Sequence, residues 1–431
     1  MTEAAAPVAS TGLRARVTAA RRETVLVFAA VGLVAIHSLD DNFVQPQPGT
    51  LAGDHLVSGL VPLAVLAAAL ALHTRSRPGV RAVIALLLGF LALLVSSESV
   101  YYAREVGPSG DDFTGFLAIP AGLVLIGVGL VTLWRTRRRD DSPPWRYTRR
   151  LLLALAAVLS VPLLLYPLAE SYVVTHVARA VVPPANLGAP FEDVEFTTSD
   201  GLQLHGWYVP SENGAAVIVF PGRSGPQKPA RVLVEHGYGV LLFDRRGEGE
   251  SDGDPNALGW SGVPDLNAAV AFLQGRADVD PNRIGGIGLS VGGELLLQAA
   301  VGSDALKAVV SEGAGIRSVR EALDASGTER LVAAPVWTVT TAATAVFDNS
   351  APPPNLTGLV AQIAPRPVFL IFSTNGQGGE QLSSDYYAAA GDPKELWEIP
   401  DAGHTGGITA HPEEYERRVV GFFDRALLQA T

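Results

Sequence analysis

"GIGLSVGGE", residues 286–294, places glycine, serine and glycine at positions 288, 290 and 292, in the pattern G-x-S-x-G. The stretch "RIGGIGLS" (283–290) reads as a short apolar strand, and "VGGELLLQAA" (291–300) reads as a helix. Ser290 therefore falls at a strand-to-helix junction. Small residues two before it and two after it let the backbone turn sharply and hold the serine oxygen above the carboxyl edge of a sheet. The helix that follows aims the positive end of its dipole at the same place. Five common residues alone are weak evidence for a nucleophile. The setting is what makes Ser290 a candidate.

Outward from this junction, strands of similar character recur. "AAVIVF" (215–220), "GVLLFD" (239–244), "LKAVVSEG" (306–313), "PVFLIFS" (367–373) and "ELWEIP" (395–400) are apolar runs. Helical patterns lie between them at 264–274 and 292–301, and "PEEYERRVVGFFDRALL" closes the chain. "VEFTTSDGLQLHGWYVP" (194–210) reads as a hairpin about Ser199, Asp200 and Gly201. This alternation predicts a mostly parallel sheet covered on both faces. Residues 314–360 break the rhythm, carry Pro335 and Pro352 to Pro354, and read as a lid-like insertion after the sixth strand.

Four separate stretches make residues 191–431 resemble the α/β-hydrolase superfamily: "FPGRSG" (220–225), "DRRGEGESDG" (244–253), "GLSVGG" (288–293) and "PDAGHTGG" (400–407). Their order, serine first and histidine last, is the order such enzymes use. The resemblance implies that Ser290 attacks a carbonyl and that His404 takes its proton and later delivers it to the leaving group. It also implies an oxyanion hole built from the backbone N–H groups of Val291 and Arg223. The acid is expected after "PVFLIFS", where "TNGQGGEQLSSD" (374–385) offers Glu380 first and Asp385 second. Asp385 falls where a helix is expected, which favours Glu380. Asp244 and Asp252 read as turn formers. The Arg223 side chain reads as a cation at the site entrance, there to meet an anionic substrate or simply solvated. Trp337 and Phe347, in the insertion, line an acyl pocket or pack the lid.

The first 175 residues lie outside the resemblance. Apolar segments at 24–39, 56–72, 82–97, 114–134 and 151–169 predict about five transmembrane helices, joined through a linker at 176–190 to the 191–431 domain. Mean hydropathy is +0.25, high for a wholly soluble chain. Arginines precede the first segment (Arg14, Arg16, Arg21, Arg22), separate the second from the third (Arg75, Arg77, Arg81) and crowd "RTRRRDDSPPWRYTRR" (135–150). The remaining loops hold Asp40, Asp41 and Asp54, then Glu98, Asp111 and Asp112. Basic loops stay in the cytoplasm, so the N-terminus is expected inside and, after five crossings, the hydrolase-like domain outside. His37, Asp40, Asp41, His55 and His176 fall near the outer face, without the spacing of a metal site.

Composition narrows the classes. Net charge is −11, with no basic patch interleaved with aromatics, which argues against nucleic-acid binding. The chain has no cysteine, so disulfides and thiolate metal sites are excluded. Arginine greatly outnumbers lysine, the usage of a G+C-rich bacterial genome. The expectation is a membrane-anchored serine hydrolase acting on an ester or related acyl bond, drawn from a lipid or the cell envelope. It would need no metal or organic cofactor, and its partners would be the bilayer and the acyl substrate. Peptide cleavage or acyl transfer would use the same groups, and a non-catalytic receptor or scaffold on a retained hydrolase fold is the other class.

Overall fold

Apolar helices dominate the N-terminal part of the computed structural model, which describes residues 8–429 apart from 106–107, 109, 111, 136–142, 178, 180, 224–226, 326–329 and 377. Much of the arginine-rich loop, and the end of the "FPGRSG" stretch, therefore lie outside the described residues. The helices are α1 (Val8–Leu39), α2 (Leu56–Arg75), α3 (Pro78–Glu105), α4 (Asp112–Arg135), α5 (Pro143–Ser160) and α6 (Tyr166–Thr175). Four helical segments, Arg21–Val44, Leu56–Arg75, Pro78–Tyr101 and Asp112–Arg135, are long and apolar enough to cross a membrane. The expected fifth span at 151–169 is not among them. Arg146, Arg149 and Arg150 occupy the first half of α5, and its helix gives way to a π-helical turn at Val161–Leu165, with Pro162 and Pro167 close by. That leaves too few uncharged residues in one regular helix.

The chain forms two compact units, residues 1–46 with 51–159, and 47–50 with 160–431. In the first, α3 and α4 approach backbone to backbone. A Cβ at Gly89 would lie 2.9 Å from the Gly122 carbonyl oxygen, and one at Gly122 would lie 2.9 Å from that of Gly89. Small residues at such a crossing are how helices pack where water supplies no hydrophobic drive. Leu60, Phe90, Leu123 and Leu130 remain exposed on the outside.

The second unit holds an eight-stranded sheet in the order β1-β2-β4-β3-β5-β6-β7-β8. The strands are β1 (Glu192–Thr197), β2 (Gln203–Val209), β3 (Ala216–Phe220), β4 (Gly239–Phe243), β5 (Ile284–Leu289), β6 (Leu306–Glu312), β7 (Val368–Ser373) and β8 (Lys394–Ile399). β1 and β2 are the expected antiparallel hairpin, β2 is antiparallel to β4, and β3 through β8 are parallel. The helices are α7 (Lys228–Glu235), α8 (Val263–Gln274), α9 (Val291–Gly302), α10 (Val319–Ala325), α11 (Arg330–Phe347), α12 (Ser383–Ala389), α13 (Gly407–Ala410) and α14 (Pro412–Phe423). Ile218 and Phe220 point into the core shared with Leu266 and Leu295, while Val217 and Val219 point into the core shared with Tyr415 and Phe423. Alternation thus buries every residue of β3, because both sheet faces are covered.

α6 belongs to this second unit although its apolarity groups it with the spans. The Ser171 hydroxyl donates to the Thr340 carbonyl at 3.0 Å, and Phe347 meets the Tyr172 ring edge-on. Phe347 therefore packs on α6. The insertion between β6 and β7 contains α10 and α11. Chain order reverses about β3, with β4 on one side and β5 on the other, which opens a crevice at their carboxyl ends.

Candidate active site

The crevice is where Ser290 sits, one residue beyond β5 and one before α9. Its φ is +53° and its ψ −126°, a conformation that side chains other than glycine's rarely adopt. Such strain costs about 1–3 kcal/mol and persists only where the surroundings impose it. Here the Ser290 N–H donates to the Glu312 carbonyl at 2.8 Å, and the Gly293 N–H donates back to the Ser290 carbonyl at 2.9 Å. The flanking glycines are required by contact. A Cβ at Gly288 would lie 2.3 Å from the Gly292 carbonyl oxygen, and one at Gly292 would lie 2.5 Å from that of Phe220. The latter contact brings the turn after β3, with Arg223, against the elbow that carries Val291. The two backbone N–H groups expected to hold an oxyanion thus come from adjoining turns.

His404 arrives on the loop between β8 and α13, and its Nε2 lies 2.9 Å from the Ser290 hydroxyl oxygen. Its Nδ1 is hydrogen-bonded to Oε1 of Glu380, a fully buried side chain. An ionised carboxylate only accepts, so Nδ1 carries the proton and the Nε2 lone pair faces the serine hydroxyl. Oε2 of Glu380 accepts the Ser373 N–H at 3.0 Å, and the Ser373 hydroxyl bonds the Ala402 carbonyl, tying the end of β7 to the histidine loop. Asp385 stands exposed on α12. Of the two carboxylates in 374–385, the structure brings Glu380 to the imidazole.

Two buried carboxylates that sequence reasoning passed over complete the surroundings. Glu312, the last residue of β6, accepts the Gly407 N–H at 2.9 Å and the Tyr415 hydroxyl at 2.8 Å, which fixes the chain just after His404. Glu294, on the first turn of α9, accepts the Gly315 N–H at 3.1 Å and pairs with Arg317 at 3.2 Å. Burial raises the Glu312 carboxyl above its usual range and pushes Glu294 up to about 7. The His404 imidazole is raised above its ordinary value, chiefly by its hydrogen bond to Glu380, with smaller contributions from the charges of Glu312 and Glu294. The signal was present in sequence: each glutamate interrupts an otherwise apolar strand end or helix.

Arg223 corrects both readings of an entrance cation. Its side chain is 4% exposed, and its Nε donates to Asp244 Oδ2 at 2.9 Å, with a second nitrogen on the same oxygen and on Glu250 at 2.9 Å. It closes the turn after β4 from inside and is neither solvated nor aimed at substrate. Arg223→Ala strands the buried Asp244 charge, so a loss of about 3–5 kcal/mol is expected in chemical denaturation of the second unit. Because the proposed oxyanion donor is a backbone N–H, acylation of Ser290 in the folded fraction should fall less than about tenfold.

A model of the X-Pro dipeptidyl-peptidase (S15) family matches residues 171–398, more than half of the chain. The chain belongs to the S15 family. This S15-family chain is 31% identical over 253 residues to the uncharacterized protein YfhR of Escherichia coli O157:H7, covering 55% of this chain and 81% of that one. The polyketide transferase grgF of a Penicillium species is 40% identical over 119 residues, 26% of this chain and 40% of its own. Among solved structures, a Pyrococcus furiosus esterase matches at 26% identity with a TM-score of 0.49, over 59% of this chain and 99% of that one. The family match places the domain among hydrolases of the S15 peptidase family. The family match includes Ser290 and Glu380 and stops short of His404, which is tied to them by the geometry alone.

Proposed function

We propose that this chain is a membrane-anchored serine hydrolase that opens a carboxylic ester or related acyl bond through an acyl-enzyme on Ser290. The observation that carries this reading is the continuous hydrogen-bonded path from the Ser290 hydroxyl through His404 to buried Glu380. In the forward step the serine oxygen bonds to the acyl carbon while its proton moves to Nε2. The Val291 and Arg223 N–H groups hold the oxyanion. The protonated Nε2 then delivers that proton to the leaving group, and water repeats the sequence in reverse to free the acid.

The family's peptidase description favours a second reading, in which the leaving group is an amine. Turnover by the full-length protein on aryl esters, long-chain lipid esters and X-Pro anilides separates the two. Ester rates at least about tenfold above the anilides support the esterase, and cleavage of the anilides alone replaces it with a dipeptidyl-peptidase. Similarity to the polyketide transferase supports including an acyl acceptor other than water in the panel.

Anchoring rests on the four span-length helices, and the side on which the domain lies turns on parity. We place it in the cytoplasm, because four crossings from a cytoplasmic N-terminus return the chain to the side on which it began, the reverse of the five-span expectation. Tags at both termini of intact cells should then be protected from added protease. Cleavage of a C-terminal tag with protection of an N-terminal one would put the domain outside the cell, with 151–169 completing a fifth crossing.

A further inference from the structure

Among the described residues of the second unit, exposed large hydrophobic side chains are confined to two places. They lie in 161–181, Val161, Leu164, Tyr166 and Val173 among them, or at Leu331 and Val332. These places belong together, since α6 packs on α11 through the Ser171–Thr340 hydrogen bond and the Tyr172–Phe347 contact. From Leu331 to Phe347 the α11 sequence has no charge, yet only Thr340, Ala343 and Thr344 are buried along it. Leu331 is 90% exposed and Val332 57%. Such a surface is an aggregation hazard in water. The helix is about 25 Å long at 1.5 Å per residue, short of a bilayer span, and the length suits a helix lying in the membrane surface.

One occupant follows from the chain itself. In chain order the 161–181 surface follows immediately on the unit that contains the four span-length helices. The insertion carrying α11 is also fastened beside the triad. A Cβ at Gly313, where it begins, would lie 3.4 Å from both Glu380 Cδ and His404 Cε1. Buried Glu321 accepts the N–H groups of Arg317 and Ser318 at 3.0 Å and that of Leu356 at 2.5 Å, holding both ends of the insertion on one carboxylate.

We propose that α11 and 161–181 form one apolar surface lying in the bilayer, and that Ser290 thereby receives an acyl substrate carried in the lipid. The second half rests on the reading of Ser290 as a nucleophile, and the first half does not. The cysteine-free sequence permits a clean test. Leu331→Cys and Asp304→Cys are labelled with an environment-sensitive fluorophore in the full-length protein and placed in phosphatidylcholine nanodiscs containing spin-labelled lipid. Asp304, 99% exposed, precedes β6, at the sheet edge opposite to the one from which the insertion leaves. Blue-shifted emission and about threefold stronger quenching at 331 than at 304 are expected, and equal quenching overturns the surface. Leu331→Asp with Val332→Asp should lower turnover of a long-chain ester in the same nanodiscs by about tenfold, with a soluble short ester within about twofold. An equal loss on both esters overturns the substrate class. Quenching at 331 in a chain whose Ser290 proves inert upholds the surface and removes the substrate with the nucleophile.

Discussion

A fluorophosphonate that labels the wild-type chain should leave Ser290→Ala unlabelled, and acyl turnover should fall by about a millionfold, the loss seen when a triad nucleophile is removed. The size follows from the position of the hydroxyl. It is 2.9 Å from Nε2 of His404, and no other hydroxyl is bonded to that nitrogen among the described residues. What survives is the contribution of the oxyanion donors and of binding. Equal labelling of both chains would remove Ser290 from the chemistry and leave the receptor or scaffold reading in possession of the fold. A stability arm guards against a trivial loss of structure. Alanine inherits the positive φ of +53°, whereas glycine adopts it freely. Ser290→Gly should therefore be about 1 kcal/mol more stable than Ser290→Ala in denaturant while being equally inactive. If glycine were the less stable of the two, the elbow would not be under strain.

What the sequence discloses and what it withholds divide along local and non-local physics. β3, β4, β5 and β7 are legible as apolar runs because strands covered on both faces need no polar alternation. The elbow is legible in part, because Gly288 is demanded by the Gly292 carbonyl four residues on, whereas Gly292 answers to Phe220 on another strand. Arg223 is misread for the opposite reason. Its partner Asp244 comes from the next strand, 21 residues on, and nothing in "FPGRSG" points there. The fifth span is overcalled because apolar composition at 151–169 conceals the arginines that start α5 and the π-helical turn at 161–165. α6 and α11 are each apolar enough to look like ordinary core or span. Only the fold shows that they pack on each other and leave their remaining surface uncovered.

The triad acid is the hardest residue to choose from sequence, and replacing it carries the second large effect. Glu380 and Asp385 lie five residues apart, and only the helix expected at 385 ranks them in the sequence. The structure separates them through the turn at Gly378 and Gly379, with φ of +71° and +89°, which folds Glu380 back under the histidine while Asp385 starts a helix outside. Glu380→Gln should lower kcat by about 10⁴-fold, because a neutral amide no longer selects the Nδ1–H tautomer or stabilises the imidazolium. Asp385→Asn should stay within about twofold, as for an ordinary surface change. The pH profile adds a check that simple misfolding would not produce. The base must be neutral to accept the serine proton, and the His404 pKa is raised, chiefly by Glu380. The rising limb of kcat/KM in the wild type therefore lies above the ordinary histidine value of about 6.5, with activity lost as the pH falls through it. Removing the Glu380 charge takes away the largest raising influence, so the residual activity of Glu380→Gln should keep its rising limb at lower pH than the wild type. A limb that did not move, or that moved upward, would mean that Glu380 is not the group that sets the charge of His404.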